Sequence, residues 1–289
     1  MPESGVTPEQ QSVREPFGSR LAAAMDTCGP LCVGIDPHPQ LLADWGLNDD
    51  AAGLERFSLT VVEAVASLAA AVKPQVALYE RHGSAGMAVL ERTLAAAAEA
   101  GVLSIADAKR GDIGSTMAAY ADAWLRDGSS LAADSVTLSP YLGFESLRPA
   151  LDLAAEYGRG VFVLALTSNP EGKSVQHVGG DDSVARRIIA AAAEENARYA
   201  GALGSVGLVV GATIGSALED LGIDLGPVRG AILAPGLGAQ GATPADLRAT
   251  FGSAYPAVLA TSSRGILAAG PTVAALRAAT EETLGGLRA

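Results

Sequence analysis

Eight short apolar runs, spread along the whole chain and separated by stretches of helical composition, constrain its fold more than any other feature. They are Leu31–Ile35, Ala69–Val72, Val102–Ala106, Ser135–Leu138, Gly160–Leu166, Val206–Val210, Gly230–Ala234 and Ala257–Thr261. Several are apolar throughout, as strands covered on both faces must be. Helix candidates lie between them at Leu54–Ala70, Gly86–Ala100, Met117–Arg126, Ser183–Leu203 and Pro244–Phe251, and Pro271–Leu284 closes the chain. Eight β/α units in 289 residues predict an α/β fold, a single closed (β/α)8 TIM barrel. A doubly wound open sheet is the alternative. No linker or shift in composition marks a second domain, so the barrel is expected to span 17–289. Residues 1–16 read as a disordered polar tail leading into a short helix at Leu21–Met25.

Charge and composition exclude several function classes. A net charge of −12 argues against a nucleic-acid partner. It leaves room for an anionic substrate, which needs only local positive charge. The two cysteines, Cys28 and Cys32, match neither a zinc spacing nor a redox pair and read as inert thiols. His38, His82 and His177 are too scattered for a metal site. No apolar run is long enough to span a membrane, and the start lacks a signal-peptide core, so a cytoplasmic protein is expected.

In a (β/α)8 barrel the chemistry gathers at the carboxyl ends of the strands. Those positions here hold Gly34-Ile-Asp36-Pro-His38, Lys73-Pro-Gln75, Asp107-Ala-Lys109-Arg-Gly-Asp112, Ser139-Pro-Tyr141-Leu-Gly, Thr167-Ser168-Asn169-Pro170, Pro235-Gly-Leu-Gly-Ala-Gln240-Gly and Ser262-Ser263-Arg264-Gly265. Strand alternation predicts that Asp107 and Lys109 point the same way, and Gly111 is expected to free the backbone for a turn. Singly, each residue has a structural reading. Asp36 could start a turn, Lys73 could be a surface lysine, Asp112 a helix cap and Arg264 half of an ion pair. Together, at one end of one barrel, they point to a site. The glycine-rich seventh loop and Arg264 suit a phosphate monoester, since loops seven and eight often hold one. The reactive part of that ligand would lie over Lys73, Asp107 and Lys109.

These motifs together resemble the orotidine 5'-phosphate decarboxylase family, in particular its longer bacterial, type 2 subgroup. The resemblance runs from about Phe17 to the last helix. It implies decarboxylation of orotidine 5'-monophosphate to UMP, the last step of de novo UMP synthesis, with neither metal nor organic cofactor. Carried over by position, Asp36 and Lys73 would hold the ribose hydroxyls, and Lys73 would also join the charged network. Asp107 would lie against the substrate carboxylate, and Lys109 would protonate carbon 6. Asp112 and Thr116 would reach the neighbouring site of a homodimer. Ser168 would bind the pyrimidine edge. Pro235 to Gly241 would close over the ligand, with Gln240 and Arg264 on the phosphate. Ser263 departs from many shorter relatives, which often have Gly there. The Glu171–Asp182 loop is left without a role. Two other readings share these residues. One is a Mg²⁺-dependent sugar-phosphate decarboxylase or aldolase, for which Glu80 is the candidate extra acid. The other is a non-catalytic nucleotide-phosphate binding module.

Overall fold

A computed structural model describes residues 14–238 and 241–288, and in it the eight runs become eight parallel strands. They are β1 (Leu31–Ile35), β2 (Ala71–Pro74), β3 (Leu103–Arg110), β4 (Ser135–Leu138), β5 (Gly160–Leu166), β6 (Gly204–Val210), β7 (Gly230–Pro235) and β8 (Val258–Ser262). Each pairs with the next, and β8 returns to β1 through Cys32↔Thr261, closing the barrel. β1, β4 and β5 have the expected bounds, because every residue in them is apolar or small. β2 and β3 run further toward the carboxyl end than expected, through Lys73-Pro74 and through Asp107 to Arg110. Charged residues read as the end of a strand, yet here the strand carries them into the barrel mouth.

The helical ring follows the same logic. Helices Ala51–Val65, Gly83–Glu99, Gly114–Leu125, Val184–Asn196, Pro244–Phe251 and Val273–Arg288 match the expected stretches within a few residues at most ends; Val184–Asn196 stops seven short. Arg148–Glu156, which follows β4, is an addition to them. The expected short helix at Leu21–Met25 is longer, α1 (Phe17–Cys28). It lies across the amino-terminal end of the barrel. There Leu21 and Met25 join the interior layer formed by Cys32, Ile105, Phe162, Leu233 and Leu259. Phe17 meets Phe162 edge to face, with ring centroids 6.0 Å apart. α1 therefore plugs the floor, and the opposite mouth is left for ligands.

Of the expected disordered tail, residues 1–13 lie outside the described residues. Arg14 bonds Asp127 at 3.0 Å and the Tyr157 carbonyl at 2.9 Å. Cys32 is buried and Cys28 partly so, and both are free thiols. No helix among the described residues is long and apolar enough to cross a membrane.

Candidate active site

A cavity of about 320 Å³ opens at the carboxyl ends of the strands. Its wall includes Asp36 just after β1, Lys73 in β2 and Gln75 just after it, Asp107 and Lys109 from β3, and Pro235, Ser263 and Arg264 from the last two units. The size suits a small ligand held largely inside the protein.

Asp107 organises the centre. Its Oδ2 accepts from Lys73 Nζ at 2.8 Å and from Gln75 Nε2 at 2.9 Å. Its Oδ1 accepts from Lys109 Nζ at 2.6 Å and from Thr137 Oγ1 at 3.0 Å. Both carboxylate oxygens are thus fully engaged although the residue is buried. Burial alone would raise the Asp107 carboxyl. The ammonium groups of Lys73 and Lys109 outweigh it and hold the acid well below the usual carboxylate range. Burial likewise opposes the charge on Lys73, but the nearby carboxylates of Asp107 and Asp36 outweigh it and raise the lysine above its ordinary value. The site therefore holds two ammonium groups against one buried carboxylate. Lys73 is enclosed, whereas Lys109 is the more open of the two. Beneath them, burial pushes the Cys32 thiol up to about 12, so it stays protonated and apart from the chemistry.

Asp107 and Lys109 do share the cavity, but simple strand alternation is not the reason. The β3/β4 register passes from Ala106↔Val136 to Arg110↔Leu138, a bulge that leaves Asp107, Ala108 and Lys109 opposite Thr137 alone. The turn falls on Lys109, at φ 47°, and on Gly114, at φ 52°, and not on Gly111. Gly111 is needed for close approach, since a Cβ there would lie 2.2 Å from the Ser139 carbonyl oxygen. Gly34 serves the same purpose across the β1/β8 seam. A Cβ on it would lie 1.9 Å from Ser263 Oγ, so the hydroxyl that departs from shorter relatives is seated over a glycine.

The remaining expected residues divide. Asp36 lines the cavity, and its Oδ1 is buried without a hydrogen-bond partner among the described residues, which suits a ligand hydroxyl. Arg264 is exposed at the rim and makes no ion pair among the described residues, so its structural reading is set aside. Pro235 and Gly236 form the adjacent wall. Gln240 lies outside the described residues. Asp112, Thr116 and Ser168 do not line the cavity of a single chain; of the three, only Ser168 was expected in the chain's own site, since Asp112 and Thr116 were expected at a neighbouring one. Asp112 Oδ1 accepts the Ile113 amide at 2.8 Å, and Ile113, not Asp112, occupies the cap position of the helix that follows. Thr116 is exposed on that helix's first turn, and Ser168 is exposed on the turn after β5. Glu80, the candidate extra acid, is paired with Arg110 and lies outside the cavity wall. The contacts of Gln75 and Thr137 were not foreseen. Gln75 stood in view beside Lys73, whereas Thr137 is one hydroxyl inside a buried strand and carries no local signal.

Comparison with known proteins places this arrangement. A family model described as "Orotidine 5'-phosphate decarboxylase / HUMPS family" matches residues 29–279. An orotidine 5'-phosphate decarboxylase of Streptomyces coelicolor is 60% identical over 270 residues, covering 92% of this chain and 95% of that protein. Another, of Salinispora arenicola, is 59% identical over 277 residues, covering 95% and 98%. A crystal structure of a Streptomyces avermitilis protein, provisionally named an orotidine 5'-phosphate decarboxylase, superposes with a TM-score of 0.92 at 57% identity. It covers 98% of each chain.

Proposed function

The chain belongs to the orotidine 5'-phosphate decarboxylase / HUMPS family, and we propose that it converts orotidine 5'-monophosphate to UMP and CO₂. The observation that carries this reading is the Lys73–Asp107–Lys109 array at the cavity floor. Breaking the bond between carbon 6 and the carboxylate leaves its electron pair on carbon 6, where the pyrimidine ring stabilises it poorly. The uncatalysed barrier is correspondingly high. An ammonium group held in place beside that carbon stabilises the charge as it develops and then delivers a proton to it. Lys109 takes this role, because it is the more open lysine and Asp107 fixes its direction. Solvent restores its proton after turnover. Asp107 lies beside the place the substrate carboxylate would occupy, so a repulsion is relieved as that carboxylate departs as neutral CO₂ and its electron pair stays on carbon 6, next to the Lys109 ammonium.

The rest of the substrate fits the rest of the wall. Asp36, with its unpartnered buried oxygen, and Lys73 hold the ribose hydroxyls. Arg264 takes the phosphate with a charge-assisted contact, together with Gln240 and the Pro235–Gly241 loop. Phosphate binding far from carbon 6 can then be used to close that loop and organise the charged array. Ser168 receives the pyrimidine edge. Asp112 and Thr116 serve the neighbouring site of a homodimer. Exposed Ile113, Tyr141 and Leu142 beside them supply apolar surface for such an interface. We place the reaction in the cytoplasm, at the end of de novo UMP synthesis, without metal or organic cofactor.

The test is the loss of orotidine 5'-monophosphate absorbance on adding purified protein, with and without EDTA. Rapid loss that EDTA does not affect is expected. Folded protein that fails to turn over, or turnover that EDTA abolishes, would overturn the reading.

A further inference from the structure

We propose that Thr137 is a positioning residue whose hydroxyl holds the β3 bulge so that Asp107 and Lys109 address the cavity together. Three residues of β3 face this one residue of β4, so the ladder between the two strands is interrupted at the position where the charged groups lie. Such a bulge loses regular hydrogen bonds and re-aims side chains. It also leaves Lys109 at φ 47°, a backbone conformation that a residue with a Cβ adopts only when its surroundings enforce it.

The Thr137 hydroxyl supplies that enforcement at both ends of the bulge. Its oxygen accepts the Lys109 amide N–H at 2.9 Å. Its own proton goes to Asp107 Oδ1 at 3.0 Å. The direction of this relay is fixed, because an amide N–H can only donate and an ionised carboxylate can only accept. Thr137 is 1% exposed, and its branched Cβ restricts the side chain to few rotamers. The hydroxyl is therefore a rigid strut inside the barrel wall. Asp107 Oδ1 receives both this hydroxyl and Lys109 Nζ, so one atom couples the backbone turn to the direction of the ammonium group. Thr137 also lines the cavity wall, but the hydroxyl's two hydrogen bonds are both made within the bulge, so its role is to position Asp107 and Lys109.

The kinetic side of this inference rests on the proposed decarboxylase activity, and a spectroscopic side does not. The sequence contains three lysines, Lys73, Lys109 and Lys173. Lysine labelled with ¹⁵N thus reports the two network amines against one lysine on the distant β5 loop. The experiment compares wild type with Thr137→Val, which keeps the shape and removes the hydroxyl, and Thr137→Ser, which keeps the hydroxyl. The Val variant is expected to lose about 10²-fold in kcat with KM within about 3-fold, the scale of a small misplacement of reacting groups. The Ser variant should stay within about 5-fold of wild type. The Lys109 amide and Nζ resonances should move in Val, stay near wild type in Ser, and leave Lys173 unmoved in both.

Unchanged kcat and unmoved Lys109 resonances in the Val variant would overturn the proposal. So would equal impairment of Val and Ser, which would assign the effect to packing of the methyl group. If wild type itself shows no turnover, the functional reading fails, and the lysine resonances alone decide the positioning role. Should Val not fold, as judged by circular dichroism, Thr137→Ala takes its place against Ser.

Discussion

The mouth and the floor of the barrel use the same device for different ends. At the mouth, the β3/β4 register shifts between Ala106 and Arg110, a cationic residue (Lys109) takes φ 47°, and one polar side chain, Thr137, bridges the gap. At the floor, the β6/β7 register shifts between Gly204 and Leu208, and nearby Arg229 also takes φ 47°. There the bridge is Asn196, which donates to the Val206 and Val228 carbonyls at 2.7 and 2.9 Å and accepts the Val206 amide at 3.1 Å. Gly204 and Gly230 make room for it, since a Cβ on either would lie within 2.6 Å of its amide group. The Arg229 guanidinium likewise ends on the carbonyls of Tyr199 and Gly201. Asn196 and Arg229 therefore terminate on backbone and close a seam. Mouth polar groups terminate on one another, with a cavity in front of them. The irregularity is common to both ends, and what its side chains face decides whether it serves stability or chemistry.

The division is tested most severely by Lys109→Ala. We expect a loss on the order of 10⁴-fold or more in kcat, with little change in melting temperature, because proton donation and charge stabilisation disappear together. Loss of the folded state instead would make the mouth as structural as the floor. Asn196→Ala should do the converse. Leaving buried backbone groups unpaired should cost about 3 kcal/mol in a urea unfolding experiment, with kcat/KM of the folded enzyme within about twofold of wild type. A matching fall in kcat/KM would break the division from the other side.

Arg264→Ala comes next in size. A rim guanidinium without an ion pair among the described residues should be worth about 10²-fold in kcat/KM and nothing measurable in unfolding midpoint. Near-normal kcat/KM would remove Arg264 from the phosphate site. The smallest expected effect is on pH-dependent stability. The Asp107 carboxyl is held below its ordinary value in the folded chain, so the unfolded chain binds that proton more readily. Its contribution is present above about pH 4, the ordinary aspartate value, and is lost as pH falls further. Unfolding midpoints of wild type should fall across that acid range, and Asp107→Asn should flatten the fall. Parallel curves for the two proteins would place the acid sensitivity elsewhere, for example in Asp127 beside Arg159 at the floor.

The bounds of β1, β4 and β5 and the closed barrel were legible from pattern, and so were the residues of the mouth array: Lys73, Asp107 and Lys109. Two strands end later than expected where charge enters them, at Lys73-Pro74 in β2 and at Asp107–Arg110 in β3. A lone polar residue in an apolar run reads as its end, and only the cavity ahead of the strand makes that residue interior. Asp112, Thr116 and Ser168 belong to motifs legible in sequence, yet one chain leaves them outside its cavity wall.

By itself the sequence determined that eight buried strands alternate with helices and that acids and bases collect at their carboxyl ends. Both are local properties, because burial on two faces demands apolar residues and each polar cluster follows its own strand. Tertiary structure alone decided that Thr137 faces a three-residue bulge, that Gly34 makes room for Ser263, and that Arg264 stands at the rim with no ion pair among the described residues while Glu80 is taken by Arg110. Those facts depend on the register between different strands and on what lies across a loop, and no single stretch of chain carries that information.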